Sequence, residues 1–379
     1  MKRIITLGMA ILLAACASSN VEPPAPLVNF TPKIKVERVW SRSIGSADAI
    51  LRLGIVPASN GTNVYVASHD GAVYAFNLKN GDHVWRTNTK LSLTAGPGVG
   101  EGVLVVCASN GTVEALSTKD GKQLWKTDVN GYVLASPAVS QSVVVVTTTD
   151  GHTLALSSLT GQVLWNVAHE VPNLSLRGAS PPLISGNTVF QGLDNGQLLA
   201  LNLSDGSQRW STSISIPSGS NELARLVDLD GVLAVDSDVV YAVNYHGRLE
   251  ELVRDSGQVM WRREMSSYTG VSEDSSHVYV TDTHSAVWAL DKATGIPVWT
   301  QPAMRARDLT LPVPYMDTVV AGDLQGYLHF LSKQDGSIVA RVRQGSSPIL
   351  APPIVVNGYL VVLTAGASLA AYKIEPLAG

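Results

Sequence analysis

One short pattern recurs along nearly the whole chain: a glycine, three further residues and then a tryptophan. Six copies carry both residues, and their tryptophans are Trp85, Trp125, Trp165, Trp210, Trp261 and Trp299. Gly336 begins a seventh copy, in which Ala340 stands at the tryptophan position. A second signature, a turn dipeptide such as Asn110-Gly111 followed by alternating apolar residues, precedes each glycine and occurs eight times, the last at 366–372. The chain therefore repeats one unit eight times, and this repetition limits the folds open to it.

Each unit reads as four short strands. In the second unit the alternating apolar residues predict strands at about 93–99, 103–108, 112–117 and 122–127. Asn-Gly and Asp-Gly between such runs are strong hairpin signals, because both turn residues must adopt positive φ. Four strands in about 40 residues is the period of a β-propeller. The sequence therefore predicts an all-β fold, an eight-bladed β-propeller of four-stranded blades.

The two ends of the chain each supply part of one blade. Trp40 fits a fourth-strand position but has no three strands before it, whereas 349–373 supplies three strands and no fourth. We expect the N-terminal strand to pair with the C-terminal blade, which completes the eighth blade and closes the ring. The propeller is assigned to residues 34–379.

The repeated glycine and tryptophan are interpreted as structural residues. The glycine allows the turn, and the indole packs on a neighbouring blade with its N–H bonded to backbone.

The N-terminal residues form a separate segment. Two basic residues and an apolar run at 4–13 predict a signal peptide at 1–15, and the run is too short to span a bilayer, which takes about 20 residues. Leu13-Ala14-Ala15-Cys16 resembles the lipobox of bacterial lipoproteins, which implies cleavage before Cys16 and its lipidation. Ser18 stands where an aspartate would retain such a protein on the inner membrane, so the resemblance points to the outer membrane, facing the periplasm. Residues 16–33 are small, polar or proline, and we expect a lipidated flexible tether there.

Composition removes several classes of function. The net charge is −4 without a basic tract, which argues against nucleic-acid binding. Two cysteines cannot form a disulfide framework, and no His-x-x-x-His or Cys-x-x-Cys pair suggests zinc. Asp228-Leu229-Asp230-Gly231 is similar to the start of a calcium loop but lacks the later glutamate. We therefore expect neither a metal nor a cofactor.

Two connections are longer than the repeat requires. Tryptophan spacings are mostly 38 to 41 residues but rise to 45 after Trp165 and 51 after Trp210. The extra residues fall at about 167–180 and 214–235, flanking one blade on one face of the disc, where function tends to reside. The first of them contains Leu174, Leu176 and Arg177, the composition of an interface hot spot. The alternative is that these leucines pack beneath the loop.

The Gly-x-x-x-Trp units resemble the tryptophan-docking repeats of the pyrroloquinoline-quinone dehydrogenase family. Enzymes of that family have an adjacent cysteine pair and an acidic calcium site. This chain has no adjacent cysteines, no obvious acidic cluster and a short length, so we do not expect an enzyme.

Two stretches, 173–182 and 222–230, resemble most specifically the propeller lipoproteins of the outer-membrane β-barrel assembly (BAM) complex. That resemblance implies binding to the periplasmic domains of BamA, the barrel subunit, alongside other BAM subunits, as a monomer within the complex. Unfolded outer-membrane proteins are a further partner that it leaves open. It implies a partner site composed of Leu174, Leu176, Arg177, Arg225, Asp228 and Asp230.

Asp228 and Asp230 have three roles open to them: partner contact, acceptors that stabilise the loop, or a salt bridge with Arg225 or Arg177. The expected function is a scaffold that assists assembly and insertion of β-barrel proteins. The alternative is a propeller that binds a small ligand or glycan in its central channel, which a lining of aromatic residues and carboxylates would favour.

Overall fold

The fold is built from short antiparallel strands joined by turns. The computed structural model describes residues 22–45, 54–172, 174–175, 180–215 and 226–376. Within them there is no helix, so none there could cross a bilayer. Eight sheets follow one another along the chain and form an eight-bladed β-propeller, which confirms the predicted fold.

Two strands precede the first complete blade, and blades 1 to 4 follow in sequence. The first two strands are β1 (Ile34–Ser43) and β2 (Gly54–Ile55). Blade 1 contains β3 (Ala58–Ser59), β4 (Asn63–Ala67), β5 (Ala72–Asn77) and β6 (His83–Asn88). Blade 2 contains β7 (Leu93–Gly100), β8 (Val103–Ala108), β9 (Thr112–Ser117) and β10 (Gln123–Asp128). Blade 3 contains β11 (Ala138–Ser140), β12 (Val143–Thr147), β13 (His152–Ser157) and β14 (Val163–Ala168). Blade 4 contains β15 (Leu183–Ser185), β16 (Thr188–Gly192), β17 (Gln197–Asn202) and β18 (Gln208–Ser213).

Blades 5 to 8 repeat the same order. Blade 5 contains β19 (Ala234–Val235), β20 (Val239–Val243), β21 (Arg248–Val253) and β22 (Val259–Glu264). Blade 6 contains β23 (Val271–Glu273), β24 (His277–Thr281), β25 (Val287–Asp291) and β26 (Pro297–Gln301). Blade 7 contains β27 (Val313–Tyr315), β28 (Thr318–Gly322), β29 (Tyr327–Ser332) and β30 (Ile338–Arg343). Blade 8 contains β31 (Ile354–Val356), β32 (Tyr359–Leu363), β33 (Ser368–Pro376) and β1.

The ring closes through the two ends of the chain. Strand β1 pairs antiparallel with β33, with Trp40 opposite Ala371 and Ser43 opposite Ser368. The first strand of the propeller is therefore the outer strand of its last blade, as predicted. Strand β2 was not predicted; its two residues pair parallel with β7 as a fifth strand of blade 2. Two residues carry no periodic signal from which such a strand could be inferred.

The core is divided among the blade interfaces. Eight clusters of buried apolar side chains are present, one between each pair of neighbouring blades. Alternate residues of the middle strands face opposite neighbours, which is why β8 and β12 are buried along their whole length. Sheets buried on both faces read as continuous apolar runs, as VVVV at 143–146 does.

Each repeated tryptophan links its own blade to the next. The indole N–H of Trp85 donates a 2.9 Å hydrogen bond to the carbonyl oxygen of Thr118 in the following blade. The same bond recurs from Trp40, Trp125, Trp165, Trp210, Trp261 and Trp299, each to a backbone oxygen of the next blade, at 2.6 to 2.9 Å. These seven bonds confirm that the repeated tryptophan is a docking residue.

The repeated glycine has a second role besides allowing the turn. Gly121 has φ +69°, and a methyl group there would lie 2.5 Å from an indole carbon of Trp85. Blade 8 has no such turn, because its outer strand comes from the start of the chain. The tryptophan position of blade 7 therefore has no glycine to cover, which accounts for Ala340.

Part of the predicted tether lies against the propeller. Residues 22–33, called the strap below, run along blade 7 instead of hanging free. The amide of Ala25 donates to the Arg305 carbonyl oxygen, and the amide of Lys33 donates to that of Val339, both at 2.9 Å. The expectation of a flexible tether over 16–33 is therefore wrong for its last twelve residues, since composition alone did not reveal the side chains that receive them. Cys16 lies outside the described residues.

Candidate functional site

The two long connections observed in the structure flank blade 4. The first connector (169–182) joins β14 to β15, and the second connector (214–233) joins β18 to β19. They contain 14 and 20 residues, whereas the corresponding connections after blades 1, 2, 5, 6 and 7 contain 4 to 11. The connection after blade 8, at 44–57, also contains 14 residues, but it includes strand β2. This agrees with the prediction from tryptophan spacing. A rigid four-stranded scaffold does not need this extra length, so it is available for recognition.

The two connectors meet above a turn of blade 4. The Ser180 hydroxyl of the first connector donates a 3.1 Å hydrogen bond to the Gly231 carbonyl oxygen of the second. The Leu229 amide of the second connector donates to the Leu193 carbonyl oxygen, next to the Asn195-Gly196 turn. Both connectors therefore lie on the face that carries the turns between second and third strands.

Apolar residues hold the second connector in place. Leu229 and Leu233 are buried in the cluster between blades 4 and 5. The buried Asn244 side chain donates a 3.0 Å hydrogen bond to the Val227 carbonyl oxygen, and the Tyr245 amide donates to that of Asp228. The pattern of leucine and valine among aspartates thus places apolar side chains inward and leaves the carboxylates between the connectors.

Three carboxylates converge where the connectors meet. Oxygen atoms of Asp194, Asp228 and Asp230 all lie within 4.8 Å of one another. Asp194 belongs to the turn of blade 4, and the other two belong to the second connector. We call this group the acidic cluster. In the part of the chain that the structure describes, it is the one group of three acidic, histidine or cysteine side chains spaced so that they could hold a cation.

The acidic cluster shifts the ionisation of its members. Burial, followed by the charges of Asp194 and Asp228, raises the pKa of Asp230 to about 8. Burial also raises the pKa of Asp194, and a hydrogen bond with Ser175 opposes that rise. Carboxylates this close cannot all ionise without cost. A cation placed among them, whether a metal ion or a basic side chain, would lower that cost.

The predicted site residues fall into three groups. Leu174 is 42% exposed, so this leucine does not pack beneath its loop. Asp228 is only 1% exposed, which favours a role in positioning the connector over direct contact with a partner, and Asp230 is partly exposed. Leu176, Arg177 and Arg225 lie outside the described residues.

Asp194 is the member that sequence reasoning missed. It precedes the repeated turn dipeptide, at a position where the other blades carry an uncharged residue or histidine. A charged residue there, on the face of the two long connections, was the available signal.

The centre of the same face is an open depression of about 800 Å³. Its lining includes the carboxylates of Asp230 and Asp308 and one aromatic residue, Tyr268. Most other lining residues are apolar, including Leu309, Leu311 and Leu350. Among the described lining residues, Tyr268 is the one aromatic side chain on which a sugar ring could stack.

The thiol of Cys107 takes no part in this face. It is fully buried in β8, and burial raises its pKa so that it stays protonated. A protonated, inaccessible thiol is inert as a nucleophile.

The fold and this face define an eight-bladed propeller of tryptophan-docking repeats with two long connectors on one face, which is called the recognition face below as the candidate binding surface. Propellers of similar fold include enzymes: quinohemoprotein alcohol dehydrogenase from Comamonas testosteroni superposes with a TM-score of 0.71 over 89% of this chain and 76% of that one, at 12% identity. At that identity the likeness concerns the fold alone.

Sequence relatives are more specific. The family model described as outer membrane protein assembly factor BamB matches residues 69–301. The BamB protein of Pseudomonas aeruginosa is 45% identical over 99% of both chains, and that of Alkalilimnicola ehrlichii is 46% identical over 98% of this chain and 97% of its own length. The crystal structure of BamB from Moraxella catarrhalis superposes with a TM-score of 0.82 at 27% identity, covering 89% of this chain and all of that one. This chain belongs to the outer membrane protein assembly factor BamB family.

Proposed function

We propose that this protein is a non-enzymatic scaffold lipoprotein of the BAM complex, anchored in the outer membrane by Cys16 and facing the periplasm. It binds the periplasmic domains of BamA and so assists assembly and insertion of β-barrel proteins. Family membership supports the assembly role. The lipobox at 13–16 supports the anchor, because several acyl chains on one residue hold a protein on a bilayer.

The observation that carries the binding proposal is the joined pair of connectors above blade 4. The bond between Ser180 and Gly231 couples the two connectors, and buried Leu229 fastens the second one to the core. In the described parts of the connectors a partner therefore meets residues already held in place, which reduces the ordering cost of binding.

Leu174 supplies the apolar part of that surface. Its side chain is 42% exposed on the first connector, although a free monomer gains nothing by exposing it. We assign Leu176 and Arg177 to the same contact on the strength of the sequence. Arginine is enriched at interface hot spots, and an exposed apolar side chain gains from being covered by a partner.

The acidic cluster contributes to the same contact. Asp230 and Asp194 are both partly exposed and so able to meet a basic group of the partner, and Arg225 stands in the same connector as Asp230. Asp228, almost fully buried, acts by holding the connector in place. Replacing Asp230 or Asp228 is expected to weaken BamA binding, the first through lost contact and the second through a displaced loop.

A scaffold role agrees with the chemistry of the chain. Its two cysteines lie 91 positions apart in sequence, at 16 and 107, so they cannot form the adjacent pair of the quinone dehydrogenases. The recognition face has apolar and carboxylate groups but no histidine within the acidic cluster. These features support a binding role for this face.

The test is capture of BamA from solubilised envelopes. A variant carrying Leu174→Ala, Leu176→Ala and Arg177→Ala should lose most of the capture seen with the unaltered protein, while circular dichroism shows the same β-sheet signal. Leu159→Ala is the matched control, since this leucine is 81% exposed but lies on a turn between β13 and β14, away from the connectors. Equal capture by all three proteins would show that the connectors are not the BamA site.

Client proteins are proposed to pair transiently with blade edges. The outer strands β10 and β14 each have one unpaired edge, which can accept an extended segment by β-augmentation. Proline substitutions on these edges should reduce cross-linking to an unfolded barrel protein, and unchanged cross-linking would contradict this part of the proposal.

A further inference from the structure

Two arginines receive the strap: Arg307, buried in the connection between blades 6 and 7, and Arg341, half-buried on β30 of blade 7. The guanidinium of Arg307 is only 2% exposed and donates 2.7 Å hydrogen bonds to the Asp323 carboxylate and to the Gln325 amide oxygen. Its remaining edge donates a 2.8 Å bond to the carbonyl oxygen of Ala25 in the strap. Because Asp323 is fully buried and neutralises Arg307, the guanidinium is fixed in the orientation that receives the strap.

The second arginine holds the middle of the strap. Arg341 donates a 3.1 Å bond to the Val28 carbonyl oxygen and lies 5.0 Å from the ring centroid of Phe30. The Phe30 ring packs on the cluster between blades 6 and 7, beside Met304. Charged, aromatic and apolar contacts thus act together on a segment of twelve residues.

The strap is also predisposed to be extended. It begins Glu22-Pro23-Pro24-Ala25-Pro26, and prolines restrict the backbone to extended conformations before any contact forms. Docking therefore costs less conformational entropy than the same contacts with a flexible chain would.

The first residue of the strap lies on the recognition face. Glu22 forms a 2.7 Å ion pair with Arg305, in the connection between blades 6 and 7. The neighbouring Ala306 amide donates to the His284 carbonyl oxygen, in a turn between second and third strands of blade 6. The chain before Glu22 consequently joins the propeller at the rim of blades 6 and 7.

Docking shortens the free tether. Six steps separate Cys16 from Glu22, which span at most about 20 Å at 3.3–3.6 Å per residue. If the chain were undocked up to residue 33, the seventeen residues that follow Cys16 would span about 60 Å. A domain of this length has a radius of gyration of about 21 Å and is therefore roughly 50 Å across. The short tether cannot reach around such a body, whereas the long one could.

We propose that the strap orients the propeller at the membrane, with the rim of blades 6 and 7 on the recognition face held against the lipid surface. This inference rests on the lipid anchor proposed above. The two long connectors lie on the same face, two to three blades further round the ring, so their distance from the membrane is also restricted. The strap thus sets the distance from the membrane at which the connectors meet their partner.

The test compares two labels at the same position of the repeat. His284→Cys lies in blade 6, and Asn110→Cys lies at the equivalent turn of blade 2, on the opposite side of the ring; both residues are exposed. Cys107 is fully buried and should not react with the label. The acylated full chain, labelled with a fluorophore, is placed on vesicles whose lipid headgroups carry a nitroxide quencher. The label at 284 should lose most of its fluorescence and the label at 110 little.

Two further variants assign the difference to the strap. A twelve-residue Gly/Ser insertion between 21 and 22 adds about 40 Å of reach without touching the docked residues, and it should abolish the difference between labels. Phe30→Ala with Arg341→Ala should reduce it. Equal quenching at both positions in the uninterrupted chain, or a difference that survives the insertion, would overturn the proposal. Failure to sediment with vesicles would instead show that the lipid anchor is absent, and both proposals would fall.

Discussion

The indole ring of Trp85 covers Gly121 of the next blade so closely that an added methyl group would lie 2.5 Å from ring carbon Cε3. The same relationship holds between Trp125 and Gly161, again at 2.5 Å. The glycine that precedes each tryptophan in the sequence is thus covered by the tryptophan of the previous blade. The two residues of one Gly-x-x-x-Trp motif therefore belong to different contacts. The glycine packs under the tryptophan of the previous blade, and the tryptophan covers the glycine of the next blade.

Gly121→Ala should destabilise the propeller more than a turn substitution alone. Gly102→Ala is the matched control, because its φ of +83° is also positive but nothing lies within 4 Å of the added methyl group. In both variants the free energy of unfolding should fall by about 1–2 kcal/mol, because alanine is strained in the left-handed backbone region. The free energy of unfolding of Gly121→Ala should fall by about 1–3 kcal/mol more, because its methyl group overpacks against Trp85. Denaturant unfolding measures both, and equal losses would contradict the packing role.

Trp125→Phe should reduce stability by about 1–3 kcal/mol, since it leaves the Ser158 carbonyl oxygen without the 2.6 Å bond that the indole donates. Leu124→Ala, one residue earlier on the same strand and 49% exposed, should change stability by less than about 0.5 kcal/mol. The melting temperatures of the two variants provide the comparison. If both fall equally, the indole bond is not what matters.

Asp230→Asn should alter the dependence of stability on pH. In the folded protein the pKa of Asp230 is raised to about 8, so between about pH 4 and 8 the folded state holds a proton that the unfolded chain releases. The free energy of unfolding contributed by this group therefore falls as the pH rises through that window. The variant should match the unaltered protein near pH 4 and be more stable at pH 8.5 by several kcal/mol, at about 1.4 kcal/mol for each unit of the pKa difference.

Asp205→Asn serves as the opposite control for that experiment. Hydrogen bonds with Ser207 lower the pKa of Asp205, so removing the carboxylate should reduce stability above about pH 4 instead of raising it. Thermal melts between pH 4 and 9 would show the two trends. Parallel plots of melting temperature against pH for Asp230→Asn and the unaltered protein would argue against a raised pKa of Asp230 in the folded state.

Cys16→Ser should release the protein from membranes into the soluble periplasmic fraction, because it removes the site of acylation and each buried CH₂ contributes about 0.8 kcal/mol to anchoring. Cys107→Ala, which changes the other cysteine of the chain, should leave the protein in the membrane fraction. Fractionation followed by immunoblotting distinguishes these results. A Cys16→Ser protein that still sediments with membranes would mean that another contact anchors it.

Repetition made most of the fold predictable. The strand boundaries predicted in blade 2 agree with β7 to β10 to within one residue at each end, because turn dipeptides mark every hairpin. Ring closure through Trp40 followed from counting strands. The position of the strap did not, since prolines and small residues indicate an extended segment but not the surface that receives it. Arg307 and Asp323, which form that surface, stand far away in sequence and gave no local signal.

The candidate site was predictable in location more than in detail. Excess length between tryptophans located both connectors, because a repeating scaffold makes any insertion visible. Burial of Asp228 and the approach of Asp194 depend on how the second connector folds over blade 4, and that is decided by tertiary packing of Leu229 and its neighbours. A sequence pattern without regular periodicity does not contain this information.

The junction between blades 7 and 8, where Ala340 replaces the tryptophan, is also the junction that the strap crosses before it becomes β1. A pull on the N-terminal end reaches Ala25 and its bonds to Arg305 and Arg307 before it reaches the pairing of β1 with β33. The contacts of the strap therefore take up tension before it reaches the pairing of β1 with β33. With the lipid anchor proposed above, a load on the N-terminal end would fall first on blade 7 and spare the strand pair that closes the ring.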